Sequence, residues 1–341
     1  MAANPDRAAR ARRLLEGPIL ATLLGLAAPN MAVMLAQTAA SFAESWYVGH
    51  LGTEALAGAA LVFPLVMLMQ MMSAGGMGGG ISSAVARAIG GGRHDDAEAL
   101  ALHAVVIALV FGTVFTAGTL LGGPALYRAM GGNGAVLDAA LAYSNVVFAG
   151  AILLWLLNSL ANVLRGSGNM ALPALVLTIG AGGMVALAPV FMFGVGPIPA
   201  MGIAGAAMAL VVFYGVGSAI LLASLVRGSG LVRLSLGHRL QWRHFAEILR
   251  VGMFGVAGTL VSNLAVAVAT GFVGAYGAGA LAGYGLGARL EYLQIPIAFS
   301  FGSALVAMVG MNMGAGKRRR ALLAAWAGAL AVAGITGAIG L

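Results

Sequence analysis

His50–Gly58 reads HLGTEALAG and Ala275–Gly283 reads AYGAGALAG, with Gly, Ala, Leu, Ala and Gly at matching places. After one more apolar stretch, GGGRHDDA (Gly90–Ala97) is answered by GAGKRRRA (Gly314–Ala321), and Gln70 and Gln294 fall at corresponding places between the two blocks. An internal repeat inside an apolar chain marks secondary transporters built from two related bundles. The repeat therefore turns a hydrophobic sequence into a functional hypothesis.

The composition around the repeat agrees. Apolar residues make up 61% of the 341 positions and charged residues 8%, and the mean hydropathy is +0.98. A soluble domain carries about 25% charged residues, so this chain needs lipid as its solvent. There is no cysteine, hence no disulfide framework and no thiolate metal site. A net charge of +8 would suit nucleic acid, but the bases sit in short loops between apolar runs. That is the pattern of topology control. Membrane lipids are expected partners; nucleic acid and nucleotide are not. Arg7, Arg10, Arg12 and Arg13 precede no small-residue cleavage site, so the N-terminus reads as a tail leading into a retained span.

Nine apolar segments reach the roughly 20 helical residues that cross a bilayer: 19–47, 54–84, 97–122, 136–163, 171–193, 200–226, 245–273, 280–312 and 321–341. Apart from Arg128 and Arg289, every Lys and Arg falls on the side of the N-terminus, which the positive-inside rule places in the cytoplasm. A bacterial inner membrane is the expected location. Both copies of the basic loop lie on that side, so the halves are parallel repeats about an axis along the membrane normal. The expected fold class is an all-α polytopic membrane protein. A tail (1–18) leads into a six-helix lobe (19–226), a basic linker (227–244) and a partial second lobe (245–341) with spans seven to nine. About three spans of an expected six are then missing, which reads as a fragment or truncated product. The bases from Arg227 to Arg250, amphipathic around Trp242 and Phe245, are expected along the cytoplasmic surface.

Charge within lipid costs about 3 kcal/mol at mid-membrane, so carboxylates there are functional candidates. Glu44, late in the first span, continues a stripe through Asn30, Gln37 and Ser41 on one helical face. Either that stripe lines a cavity, or Glu44 is hydrated at headgroup level. Arg289 and Glu291, near the outer part of the eighth span, read as interfacial anchors or as cavity residues with partners on other helices. Gln70 and Gln294 can bind substrate or join helices, as can Ser144, Asn145, Asn158 and Asn162 on the fourth span and Ser262 and Asn263 on the seventh. His103 reads as a hydrogen-bonded core residue, since no second ligand is spaced for a metal site. Pro29 should kink the first span, and the methionines around Met67–Met72 give either a pliable surface or plain filler. GGMGGG (Gly75–Gly80) lacks the Lys-Ser/Thr of a phosphate loop and suits close helix packing. No enzyme motif is present. Uphill transport would need an ion gradient, with no further cofactor.

FAESWYVGHLGTEALAG (Phe42–Gly58), LRGSGNMALPALV (Leu164–Val176), MGIAGAAMA (Met201–Ala209) and the stretch from Gly277 to Gly316 resemble, in this order and spacing, the multidrug and toxic compound extrusion (MATE) family. The resemblance runs from about Pro18 to Leu341 and implies a twelve-span exporter with two six-helix lobes. Such a protein exchanges H+ or Na+ for amphipathic, often cationic compounds. It would place the first-span carboxylate, which binds the coupling ion, at Glu44, with Asn30, Gln37 and Ser41 as helpers. Fifth-span Asn and Asp residues of many members fall on Ala181, Met184 and Ala188 here, and a seventh-span acid of another subgroup falls near Ser262 and Asn263. The alternatives are a lipid-linked saccharide flippase of the same superfamily, for which Arg289 is the one cavity cation at hand, and a truncated membrane protein that does not transport.

Overall fold

The computed structural model describes residues 12–228, 231–274 and 294–340. Among these, eight helices are long and apolar enough to cross a membrane, or nine when a bent pair counts as one span. They are Ile19–Gly49, Thr53–Gly90, His94–Ala129, the pair Gly134–Ala149 and Ala151–Gly166, Ala171–Phe193, Ile203–Val226, Trp242–Gly274, Gln294–Gly314 and Arg318–Gly340. The chain is an all-helical multi-pass membrane protein. Ala275–Gly283, Arg289 and Glu291 lie outside the described residues, as does the start of the expected eighth span.

Both copies of the basic loop close their helices in one way. Gly92 and Gly316 take left-handed backbone angles, φ +72° and +74°. The next amide donates back across the turn in each: Arg93 N–H to the Ala88 carbonyl at 2.9 Å and Lys317 N–H to the Asn312 carbonyl at 2.8 Å. This six-to-one bond with a left-handed glycine is the Schellman stop, and it needs glycine because a Cβ strains that φ. The repeat is thus present in the backbone as well as in the letters.

Two spans depart from plain helix. The second opens into a π-helical turn over Met71–Met77. The extra residue loosens the backbone ladder, and Asn162 on the fourth span donates to the Ala74 carbonyl at 3.2 Å. The fourth span bends by 47° at Gly150, where Thr116 on the third donates to the Phe148 carbonyl at 2.7 Å. In hydrocarbon a freed carbonyl must find such a partner. The first span is one continuous helix, Ile19–Gly49, with Pro29 inside it.

The two lobes meet at the basic end through glycines. A Cβ on Gly76 would lie 2.8 Å from the Val256 nitrogen, and one on Gly80 2.5 Å from the Ile248 carbonyl oxygen. Gly90 and Gly314 similarly bring the second and eighth spans together, against Met311 and Arg87. GGMGGG therefore does serve close packing. The N-terminal turn straps the same end: Asn312 donates to the Leu14 carbonyl at 3.1 Å, Lys317 to that of Leu15 at 3.4 Å, and Arg320 to that of Gly17. Glu16 joins Arg12 at 3.0 Å and Lys317 at 3.7 Å. The Arg12 hydrogen bond, aided by Lys317, holds its carboxyl below the ordinary carboxylate range.

Most of the expected linker is non-helical, and its side chains are mainly exposed or half-buried. Its described part, from 231 to 241, is not helical and turns back, with Val232 and Leu234 buried and the Leu234 amide bonded to the Leu225 carbonyl. The seventh-span helix starts at Trp242, not Phe245. His103 explains the start. Its Nε2 accepts the Gln241 amide at 2.9 Å, leaving Nδ1–H to donate to the Ala99 carbonyl at 2.7 Å, and its ring stacks edge-on against Phe245. His103→Leu should therefore cost about 1–3 kcal/mol by stranding that amide. An unchanged melting temperature of the purified variant in detergent would refute the assignment.

Candidate functional site

Glu44 sits near the end of the first span remote from the basic loops, and it is turned into the first bundle. The Tyr143 hydroxyl donates to its Oε1 at 2.7 Å. Tyr143 lies on the first half of the fourth span, nine residues inside the helix that begins at Gly134, or about 14 Å at helical rise. Tyr214 on the sixth span is also buried and within electrostatic reach of Glu44. A half-buried carboxylate on the first span is thus bonded to a tyrosine of the fourth, with no Lys or Arg paired to it among the described residues. Such a group can exchange a proton or a small cation without first breaking a salt bridge.

The rest of the stripe shares no hydrogen bond with Glu44 among the described residues. Asn30 is buried, with Nδ2 facing the Met170 sulfur at 3.7 Å and Oδ1 without a hydrogen-bond partner among the described residues. Gln37 is half-buried, whereas Ser41 is exposed and its carbonyl accepts from Ser45. Helical spacing aligned these four residues, but their neighbours differ at each depth.

A second polar group surrounds the π-turn. Asn158 donates to the Ser73 hydroxyl at 2.8 Å and lies 3.5 Å from the Gln70 side-chain oxygen, while Ser73 donates to the Gln70 carbonyl. Asn158 is buried and its amide joins the second and fourth spans; Gln70 is half-buried at the edge of this network. The side chains of Gln294 and Asn263 lie outside the described residues, so the equivalence of Gln70 and Gln294 stands on sequence. Arg165, read as a loop base, is 2% exposed at the end of the fourth span, with Nε unpartnered among the described residues.

Sequence reasoning missed Tyr143 and Tyr214. Each is a tyrosine within a long apolar run, a usable signal of a buried hydroxyl needing a partner. The partner, 99 positions away along the chain, could not be read from spacing.

Comparison with known proteins gives a consistent picture. A family model described as MatE matches residues 29–190. A "FAD transporter" from Shewanella oneidensis is 28% identical over 319 residues, covering 90% of this chain and 68% of that protein. A "Probable multidrug resistance protein NorM" from Thermotoga maritima is 27% identical over 302 residues, covering 88% of this chain and 64% of that protein. Among solved structures, an outward-facing multidrug resistance MATE family transporter of the MOP superfamily superposes with a TM-score of 0.84 at 27% identity. That match covers 96% of this chain and 72% of the other. The chain spans about two thirds of the length of these curated relatives.

Proposed function

Because the chain belongs to the multidrug and toxic compound extrusion family, we propose that it supplies the first lobe and the opening spans of the second in an ion-coupled antiporter. The cargo is a small amphipathic, often cationic compound, and the lobes exchange access by rocking around a central cavity. Members of the family are transporters, not enzymes. The basic end faces the cytoplasm of a bacterial inner membrane. There the glycine contacts hold the lobes together.

One observation carries this reading: the Glu44 carboxylate bonded to Tyr143 inside the bundle, where ionisation is costly unless an ion or a tyrosine donor compensates. Protonation, or a bound Na+, removes that cost and changes what the pocket can hold. Asn30 and Gln37 are the polar groups next along the same span, and Gln70, Asn158, Asn263 and Gln294, with Arg289 and Glu291, remain the cavity candidates. A second cargo class is favoured by the relative named "FAD transporter": a flavin nucleotide, which is anionic.

Proteoliposomes distinguish these readings. Ethidium should leave the vesicles against its gradient when a pH or sodium gradient is imposed, and FAD should not. FAD movement without ethidium movement would replace the cationic cargo with the anionic one. No gradient-driven movement of either compound would favour a membrane protein that does not transport.

A further inference from the structure

At the basic end, a cleft of about 520 Å³ lies between the second and seventh spans, lined by Arg87, Arg243, Ala246, Glu247, Arg250 and Val251. Three of the six are arginines, drawn from both lobes. Arg87 donates to Ser83 and reaches Glu247 at 3.4 Å, and Arg243 is held by Asp96 at 2.8 Å. Arg250 has no salt bridge among the described residues. The two carboxylates neutralise only part of the local charge, since Arg93 also adjoins Asp96 at 2.8 Å. Arg243, Glu247 and Arg250 stand at i, i+4 and i+7 on one helical stripe, and the next position on it is Phe254, 78% exposed. Val261 continues the exposed apolar face deeper, and Trp242, 74% exposed, tops it at the helix start. Packing against the second span uses a different face, that of Ile248, Gly252 and Gly255.

We propose that this cleft is a binding site for an anionic phospholipid. Its headgroup phosphate lies among Arg87, Arg243 and Arg250, and an acyl chain runs along Phe254 and Val261. Charge complementarity selects the phosphate, because guanidinium groups present paired donors to its oxygens. Trp242 at the rim fits an aromatic anchor at headgroup level. A free phosphate ion shares the headgroup chemistry but would leave the exposed Phe254 stripe uncovered. Glu247 opposes the ligand, so the site is tuned below its full affinity. Because Arg87 and the seventh-span arginines come from different lobes, an occupied site also ties those lobes together at the basic end.

The test uses the purified 341-residue chain and native mass spectrometry in detergent, with phosphatidylglycerol, phosphatidylcholine or inorganic phosphate added. Phosphatidylglycerol should be retained in preference to phosphatidylcholine. Each arginine near a membrane surface contributes about a fivefold factor, so R243A/R250A should weaken that retention by about 25-fold. Glu247→Gln, which frees Arg87, should strengthen it, a gain that misfolding cannot imitate. Equal retention of both lipids, wild-type retention by the double variant, or displacement of the lipid by inorganic phosphate would each overturn the proposal.

Discussion

Replacing Glu44 with glutamine is expected to abolish gradient-driven efflux while leaving the protein inserted and folded. Glutamine keeps the side-chain length and an oxygen that can accept the Tyr143 hydroxyl, so the packing around the 2.7 Å bond survives. What disappears is the ability to bind and release a proton or to neutralise a cation. Under ion coupling that ability is the transport step itself, so a variant retaining more than about a tenth of wild-type rate (1.4 kcal/mol of coupling) would sink the role. Tyr143→Phe is the milder companion. Losing a hydrogen bond to a charged group costs about 1.5–3 kcal/mol, so this variant should slow efflux and shift its pH dependence without abolishing it. The readout is dye export from proteoliposomes across a series of imposed pH gradients. If E44Q and wild type export equally, the carboxylate is only a packed, hydrogen-bonded residue of the first bundle.

The sequence carried the fold further than it carried the site. The apolar runs are long relative to the bilayer, so the order of the spans could be read directly, and the basic loops repeated with their glycines in place. Gly92 and Gly316 stand at matching places in those loops, but that each is a left-handed helix stop appears only in the structure. The seventh-span helix begins at Trp242, three residues before the expected 245, and no local signal records the third-span histidine that accepts the Gln241 amide there. The π-turn at Met71–Met77 escaped for a similar reason: its partner Asn162 sits on the fourth span. The Glu44 site was half legible. A carboxylate in a greasy helix announces itself by its cost, but the groups that meet that cost come from remote helices. The periodicity that placed Asn30, Gln37 and Ser41 with Glu44 gave a shared direction without a shared environment, and Ser41 is exposed.

The glycine contacts at the basic end yield the other large effect. Gly80→Leu should separate the second and seventh spans, because its Cβ alone would fall 2.5 Å from the Ile248 carbonyl oxygen and 2.7 Å from the Gly252 nitrogen. Those are backbone atoms of a helix, with no rotamer to move them aside. Overpacking a tight core costs about 1–3 kcal/mol when side chains can yield, and here they cannot, so the loss should lie at or above the top of that range. Gly79, the neighbour in sequence, has nothing within 4 Å of its Cβ position. Gly79→Leu should accordingly be tolerated, with a small gain from the better helix former. Melting of both variants in detergent separates the effect of the contact from the effect of losing a glycine. The chain contains no cysteine, so Ser83→Cys with Glu247→Cys can report the same interface by cross-linking. Efficient cross-linking in the Gly80→Leu background, or equal melting of the two leucine variants, would show that close helix approach is not what holds the lobes together.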